Sequence, residues 1–150
     1  MPKRKLTAEQ ESQLRALFDR IMLTVDFADR AGGFGTSTTL ADSLRGKARQ
    51  ALEQGALRDM RRMAREINEA SMVGLPTHQR EGLEALLNSR LGVDTDAERA
   101  EMQAKAAAAI RRGKVGSEKE RRHLEDYAEM LEATGGDPDE IAAVRRLMST

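Results

Sequence analysis

The sequence predicts an all-α protein, a compact bundle of six to seven amphipathic helices. Three observations predict it. Leu, Ala, Glu, Arg and Gln are abundant while β-branched apolar residues are sparse, which favours helix over strand. Apolar residues recur at three- and four-residue steps, with no strand-like alternation. Capping residues, glycines and prolines mark where helices start and stop.

The first helix is predicted from about Ala8 to Ala31, opened by a Thr7–Gln10 capping box and closed by Gly32-Gly33. Leu14, Leu17, Phe18, Ile21, Val25 and Ala28 form one stripe, and Leu23 and Phe27 lie on the other side. A helix apolar on two sides is either central in its bundle or buried in an oligomer. After the loop Gly32 to Thr39, a second helix is expected from about Leu40 to Gln54, with Leu40, Leu44, Ala48 and Ala51 inward. Gly55 breaks or kinks it. A third helix runs to about Val73, and Gly74-Leu75-Pro76 bounds it, because proline disfavours helix in the residue before it.

The fourth helix spans about Thr77 to Leu91, with Leu83, Leu86, Leu87 and Leu91 inward and Gly92 as its C-terminal cap. Thr95 with Glu98 is read as the box opening a fifth helix that ends at Gly113; its alanines let neighbours approach closely. Ser117 with Glu120 boxes a sixth that ends at Gly135-Gly136. Asp137-Pro138-Asp139-Glu140 then opens the last helix, with proline at its first position and Ile141, Val144, Leu147 and Met148 inward. Residues 1–150 are read as a single helical domain, with an internal boundary near residues 74–76 as one option.

Composition narrows the function. Lys and Arg together number 25, as do Asp and Glu, so the formal net charge is zero and no global attraction to nucleic acid is expected. With 39% hydrophobic residues the chain can bury a core and is not globally disordered. The absence of cysteine excludes disulfides, thiolate metal sites and a cysteine nucleophile. One tyrosine, three phenylalanines and no tryptophan leave no base-stacking platform. No long apolar run follows the basic start Met1-Pro2-Lys3-Arg4-Lys5, so a soluble, cytoplasmic protein without a membrane segment is expected.

The sharpest motif is a stripe of arginines on the third helix. Leu57, Met60, Ala64 and Ile67 share one face, and Arg58, Arg61, Arg62 and Arg65 project about opposite it. Such arginines meet either water, phosphates or an acidic protein surface. A second basic run includes Arg111, Arg112 and Lys114 and is followed by an acidic stretch from Glu125 to Glu140. The glycine- and hydroxyl-rich loop Gly32–Thr39 has groups that hold anions at helix starts, but it follows a helix and lacks a P-loop lysine; its plain reading is a connection with Thr38 or Thr39 as N-cap. Glu120-Arg121-Arg122-His123 has the spacing of one half of a di-metal site without the further carboxylates such sites need. His123 and Tyr127 lie one turn apart, with no nucleophile assembled beside them.

These observations favour a non-enzymatic helical protein-interaction or regulatory protein, with no catalytic, cofactor or metal site. Its partner is another protein or a second copy of itself, and the oligomer contact is placed at Leu23, Phe27 and Phe34. The alternative is a nucleic-acid-binding module using the arginine face.

Overall fold

The computed structural model describes residues 5–34 and 38–149. Among them lie seven helices and no strand: α1 (Ala8–Arg30), α2 (Thr38–Gln54), α3 (Leu57–Gly74), α4 (Thr77–Leu91), α5 (Thr95–Arg112), α6 (Glu118–Thr134) and α7 (Pro138–Met148). The protein is all-α. No helix among the described residues is long and apolar enough to cross a membrane. The chain divides into two compact units, Met1–Val93 carrying α1 to α4 and Asp94–Thr150 carrying α5 to α7. Gly74-Leu75-Pro76 separates α3 from α4 inside the first unit; Leu75 before the proline is extended, with φ −90° and ψ 137°.

In the first unit α1 is the central helix and packs against α2, α3 and α4. Its main stripe, with Leu14, Ile21 and Val25 buried, joins Ala41, Ala48 and Ala51 of α2 and Leu57, Met60 and Ala64 of α3. Alanines along α2 allow it to lie close to this core. The second apolar side of α1 is covered within the unit. Leu23 and Phe27 pack against Leu75 and against Leu83 and Leu87 of α4. Gly82 of α4 faces the Phe27 ring, and a Cβ there would sit 3.4 Å from it, at ordinary contact distance.

The connection between α2 and α3 is a true break. Gly55 is buried with φ 63°, a left-handed conformation that favours glycine. The amide of Ala56 donates to the Ala51 carbonyl at 2.9 Å and that of Gly55 to Leu52 at 3.2 Å, so the last carbonyls of α2 are satisfied by a Schellman-type cap. The start of α2 adjoins residues 35–37, so the loop anion reading and its hydroxyls at Thr36 and Ser37 lie outside the described residues.

The second unit packs α5, α6 and α7 together, with Ala106, Ala109, Leu124, Tyr127, Ala128, Leu131 and Val144 buried. Local caps fix its helix ends. Asp94, not Thr95, is the N-cap of α5, its carboxylate accepting from the Ala97 amide at 3.0 Å. Asp94 stands one residue outside the first turn, where its oxygen reaches the free amides. Ser117 caps α6 by accepting from the Glu120 amide at 3.1 Å. The Glu120 carboxylate does not close the box but accepts from the Gly116 amide at 2.8 Å.

Two side chains depart from the predicted pattern. Leu40 shares the spacing of the inward residues of α2 yet is half exposed, because the buried stripe of α2 begins at its neighbour Ala41, which is fully buried. Arg80 of α4 is 7% exposed. Its guanidinium donates to the Met72 carbonyl at 3.4 Å, near the end of α3. That helix has no basic residue in its own last turn, so Arg80 supplies the positive charge that its C-terminal end favours.

Candidate functional site

The arginine face of α3 is oriented by the core beneath it. Leu57, Met60 and Ala64 are buried, which turns Arg58, Arg61 and Arg62 outward, and all three are exposed. Arg65, at the flank of the face, is half-buried. Their surroundings differ. Arg61 donates to the Gln13 side chain of α1 at 2.9 Å, a tie across 48 positions of sequence. Arg62 lies 3.5 Å from Asp59, one turn earlier on the same helix. Arg58 and Arg65 make no hydrogen bond or ion pair among the described residues. A guanidinium in this state offers a planar fork of donors that matches a carboxylate.

The face is mixed rather than purely cationic. Helix α3 carries its four arginines against Asp59, Glu66 and Glu69. Val73, four positions beyond Glu69, continues the outward face toward the C-terminal end and is 53% exposed. Leu40 and Val73 are large hydrophobic residues left exposed.

The second basic run lies in the other unit. Arg111, Arg112 and Lys114 are exposed at the C-terminal end of α5, where positive charge complements the helix dipole. Arg112 is engaged by Glu120 and donates to the Lys114 carbonyl at 3.0 Å. These contacts give Arg112 a local structural role, while Arg111 and Lys114 are exposed.

Leu23, Phe27 and Phe34 are each partly buried within the first unit, Leu23 and Phe27 beside α4 and Phe34 against the α1–α2–α3 core. The second apolar side of α1 therefore has an occupant inside the chain. The two signals for it, a helix central in a bundle and a helix buried in an oligomer, are the same in sequence.

His123 and Tyr127 both reside on α6. Tyr127 is 2% exposed and donates its hydroxyl to Glu140 of α7 at 2.9 Å. Burial and that carboxylate hold its pKa well above the ordinary tyrosine range. His123 is half-buried, with an Nε2 that has no hydrogen-bond partner. Burial, then nearby Lys105, lowers its pKa. No group of three or more His, Cys, Asp or Glu among the described residues is placed to hold a metal ion.

One concave feature escaped the sequence entirely. A cleft of about 120 Å³ opens in the first unit between the ends of α1 and α3 and the start of α2, lined by Thr24, Val25, Phe34, Leu44, Ile67 and Leu75 among others. It draws on positions far apart in the chain, and no periodicity in any one helix foretells it. Compared with known protein families, curated proteins and solved structures, the chain matches none.

Proposed function

We propose that this chain is a helical protein-interaction module whose contact surface is the outward face of α3, and that the face receives an acidic segment of another protein. The observation that carries this reading is the pair of unengaged guanidinium groups, Arg58 and Arg65, seven positions apart on one side of a helix whose other side is buried. Residues seven apart are two turns apart on one face, so carboxylates spaced alike on a partner helix meet both. Val73 adds an apolar contact at the end of the same face.

The acidic residues of α3 favour a protein over a polynucleotide. Asp59 and Glu66 are exposed beside the arginines and repel a continuous phosphate backbone, whereas a protein surface answers mixed charge with mixed charge. The chain's zero net charge adds no long-range attraction to nucleic acid.

The test uses a labelled helical peptide with Glu at four- and seven-residue steps and one terminal Leu, alongside duplex DNA and single-stranded RNA. Peptide binding that Arg58→Glu with Arg65→Glu abolishes supports the reading. Preferential binding of either polynucleotide, with affinity falling steeply in salt and lost in the same variant, assigns the face to nucleic acid instead. Peptide binding that survives the charge reversal overturns the assignment to α3.

A further inference from the structure

The cleft of the first unit combines three properties. Among the described residues its lining holds no ionisable side chain. Its volume of about 120 Å³ is close to that of apolar cavities of roughly 150 Å³ that accept benzene. And its few polar groups are incompletely used. Thr24 is 1% exposed, and its hydroxyl has no hydrogen-bond partner. Ser71, also in the lining, donates its hydroxyl to the Ile67 carbonyl at 2.8 Å and keeps its oxygen lone pairs as acceptors.

An unpartnered buried hydroxyl costs stability, and valine would fill the same volume without that cost. Thr24 thus contributes something that packing does not require. Its β-carbon carries a methyl and a hydroxyl, and a threonine in a helix divides between two χ1 rotamers. Rotation about one bond exchanges the group presented at the cleft wall. The Thr24 oxygen is shut off from solvent in this rotamer, so it meets a ligand only after that rotation; an apolar hollow with such a rotatable hydroxyl and one spare acceptor has the make-up of a small-molecule site.

We propose that this cleft binds a small, neutral, mostly apolar molecule, of about the size of a single ring, that carries one hydroxyl or carbonyl group. The absence of charge in the lining selects against ions, because nothing there offsets their desolvation. The apolar walls hold the body of the ligand, and Thr24 and Ser71 meet its polar group. This site is separate from the α3 arginine face and does not depend on it.

Titrating the full chain with p-cresol and with toluene, followed by nuclear magnetic resonance of side-chain methyl groups, tests the proposal. Saturable shifts confined to Thr24, Val25, Leu44, Ile67 and Leu75 are expected, with p-cresol the tighter of the two. Thr24→Val is expected to weaken p-cresol binding by about two- to tenfold while leaving toluene unchanged, the range set by one neutral hydrogen bond. Ala70→Trp places a large ring at the cleft from an exposed position and is expected to abolish binding of both. Circular dichroism confirms that the two variants are folded. Lack of saturable shifts, or shifts that persist in Ala70→Trp, overturns the site. Equal loss of p-cresol and toluene affinity in Thr24→Val overturns the role given to the hydroxyl.

Discussion

Arg45 of α2 donates from Nη2 to the Asp29 carboxylate of α1 at 2.9 Å, and this contact anchors a three-way clamp. Nε of the same guanidinium donates to Asp26 at 2.8 Å, and Nη1 to Asp42 at 3.0 Å. Asp26 and Asp29 share a face of α1, three positions apart, so one planar fork reaches both. Hydrogen bonding to Asp29, then to Asp26, raises the Arg45 pKa above its ordinary value. The guanidinium also places positive charge near the C-terminal end of α1, where the helix dipole favours it.

Lysine cannot reproduce this clamp, because an ammonium is a point charge without the fork. The melting temperature is expected to fall in the order wild type, Arg45→Lys, Arg45→Met. Arg45→Met leaves Asp26 and Asp29 facing each other uncompensated, so added salt is expected to recover part of its loss. A melting temperature in Arg45→Met equal to that of wild type rules out a stabilising role for the clamp.

His123 is expected to make the second unit sensitive to acid. Its folded-state pKa lies below the ordinary value of 6.5 because burial disfavours the charged ring. Lys105 and Lys119 oppose protonation, while Asp126 and Glu101 favour it more weakly than burial resists it. Below pH 6.5 the unfolded chain takes up a proton at this position that the folded chain resists. Stability is thus full above that pH and declines as pH falls toward the folded-state pKa. The single tyrosine, Tyr127, is buried in the same unit, and there is no tryptophan, so its fluorescence reports unfolding there. Urea midpoints at pH 5.5 and 7.5 are expected to differ in wild type and to converge in His123→Gln. An equal difference in both proteins assigns the acid sensitivity elsewhere.

Most helix ends were legible in the sequence, although Asp94 rather than Thr95 caps α5 and Glu120 accepts from Gly116 instead of closing the Ser117 box. Thr7 and Gln10 exchange hydrogen bonds of 3.1 and 3.0 Å as their spacing predicts, and Pro138 stands in the first turn of α7. Caps depend on a few neighbouring residues, so local chemistry decides them. Features set by packing were not legible. Leu40 keeps helical register with the core residues of α2 but the buried stripe begins at Ala41, and Arg80, though in register with Leu83 and Leu87, is a charge whose buried place makes sense only where it meets the end of α3. The candidate site divides in the same way. The arginine face follows from one helix's periodicity. The tie from Arg61 to Gln13, and the cleft beside Thr24, require helices that only the fold brings together.

The Tyr127–Glu140 hydrogen bond ties α6 to α7 and is expected to contribute measurably to the second unit. Tyr127→Phe keeps the buried ring and removes only the hydroxyl. Loss of one hydrogen bond of this kind costs about 1 kcal/mol, and the partly exposed Glu140 recovers water in compensation. Urea unfolding followed by far-ultraviolet circular dichroism measures the difference. Tyr127→Phe with Glu140→Gln should then cost scarcely more than Tyr127→Phe alone, because the two groups share one interaction. Additive losses show that they act independently.

Two glycines flanking the same helix segment predict opposite effects. Gly46 lies within α2, is exposed, and a Cβ added there meets no atom within 4 Å. Gly46→Ala therefore gains helix propensity and reduces the freedom of the unfolded chain without a clash, and is expected to stabilise by about 0.5–1 kcal/mol. Gly55, at the end of α2, holds φ at 63° while its amide helps close the cap on Leu52. A Cβ in that conformation costs about 1–2 kcal/mol, so Gly55→Ala is expected to destabilise by that amount. Chemical denaturation of the two variants reads both signs. Stabilisation by Gly55→Ala requires α2 to continue into α3 as one helix, and the break at Gly55 is then not the preferred state of the chain.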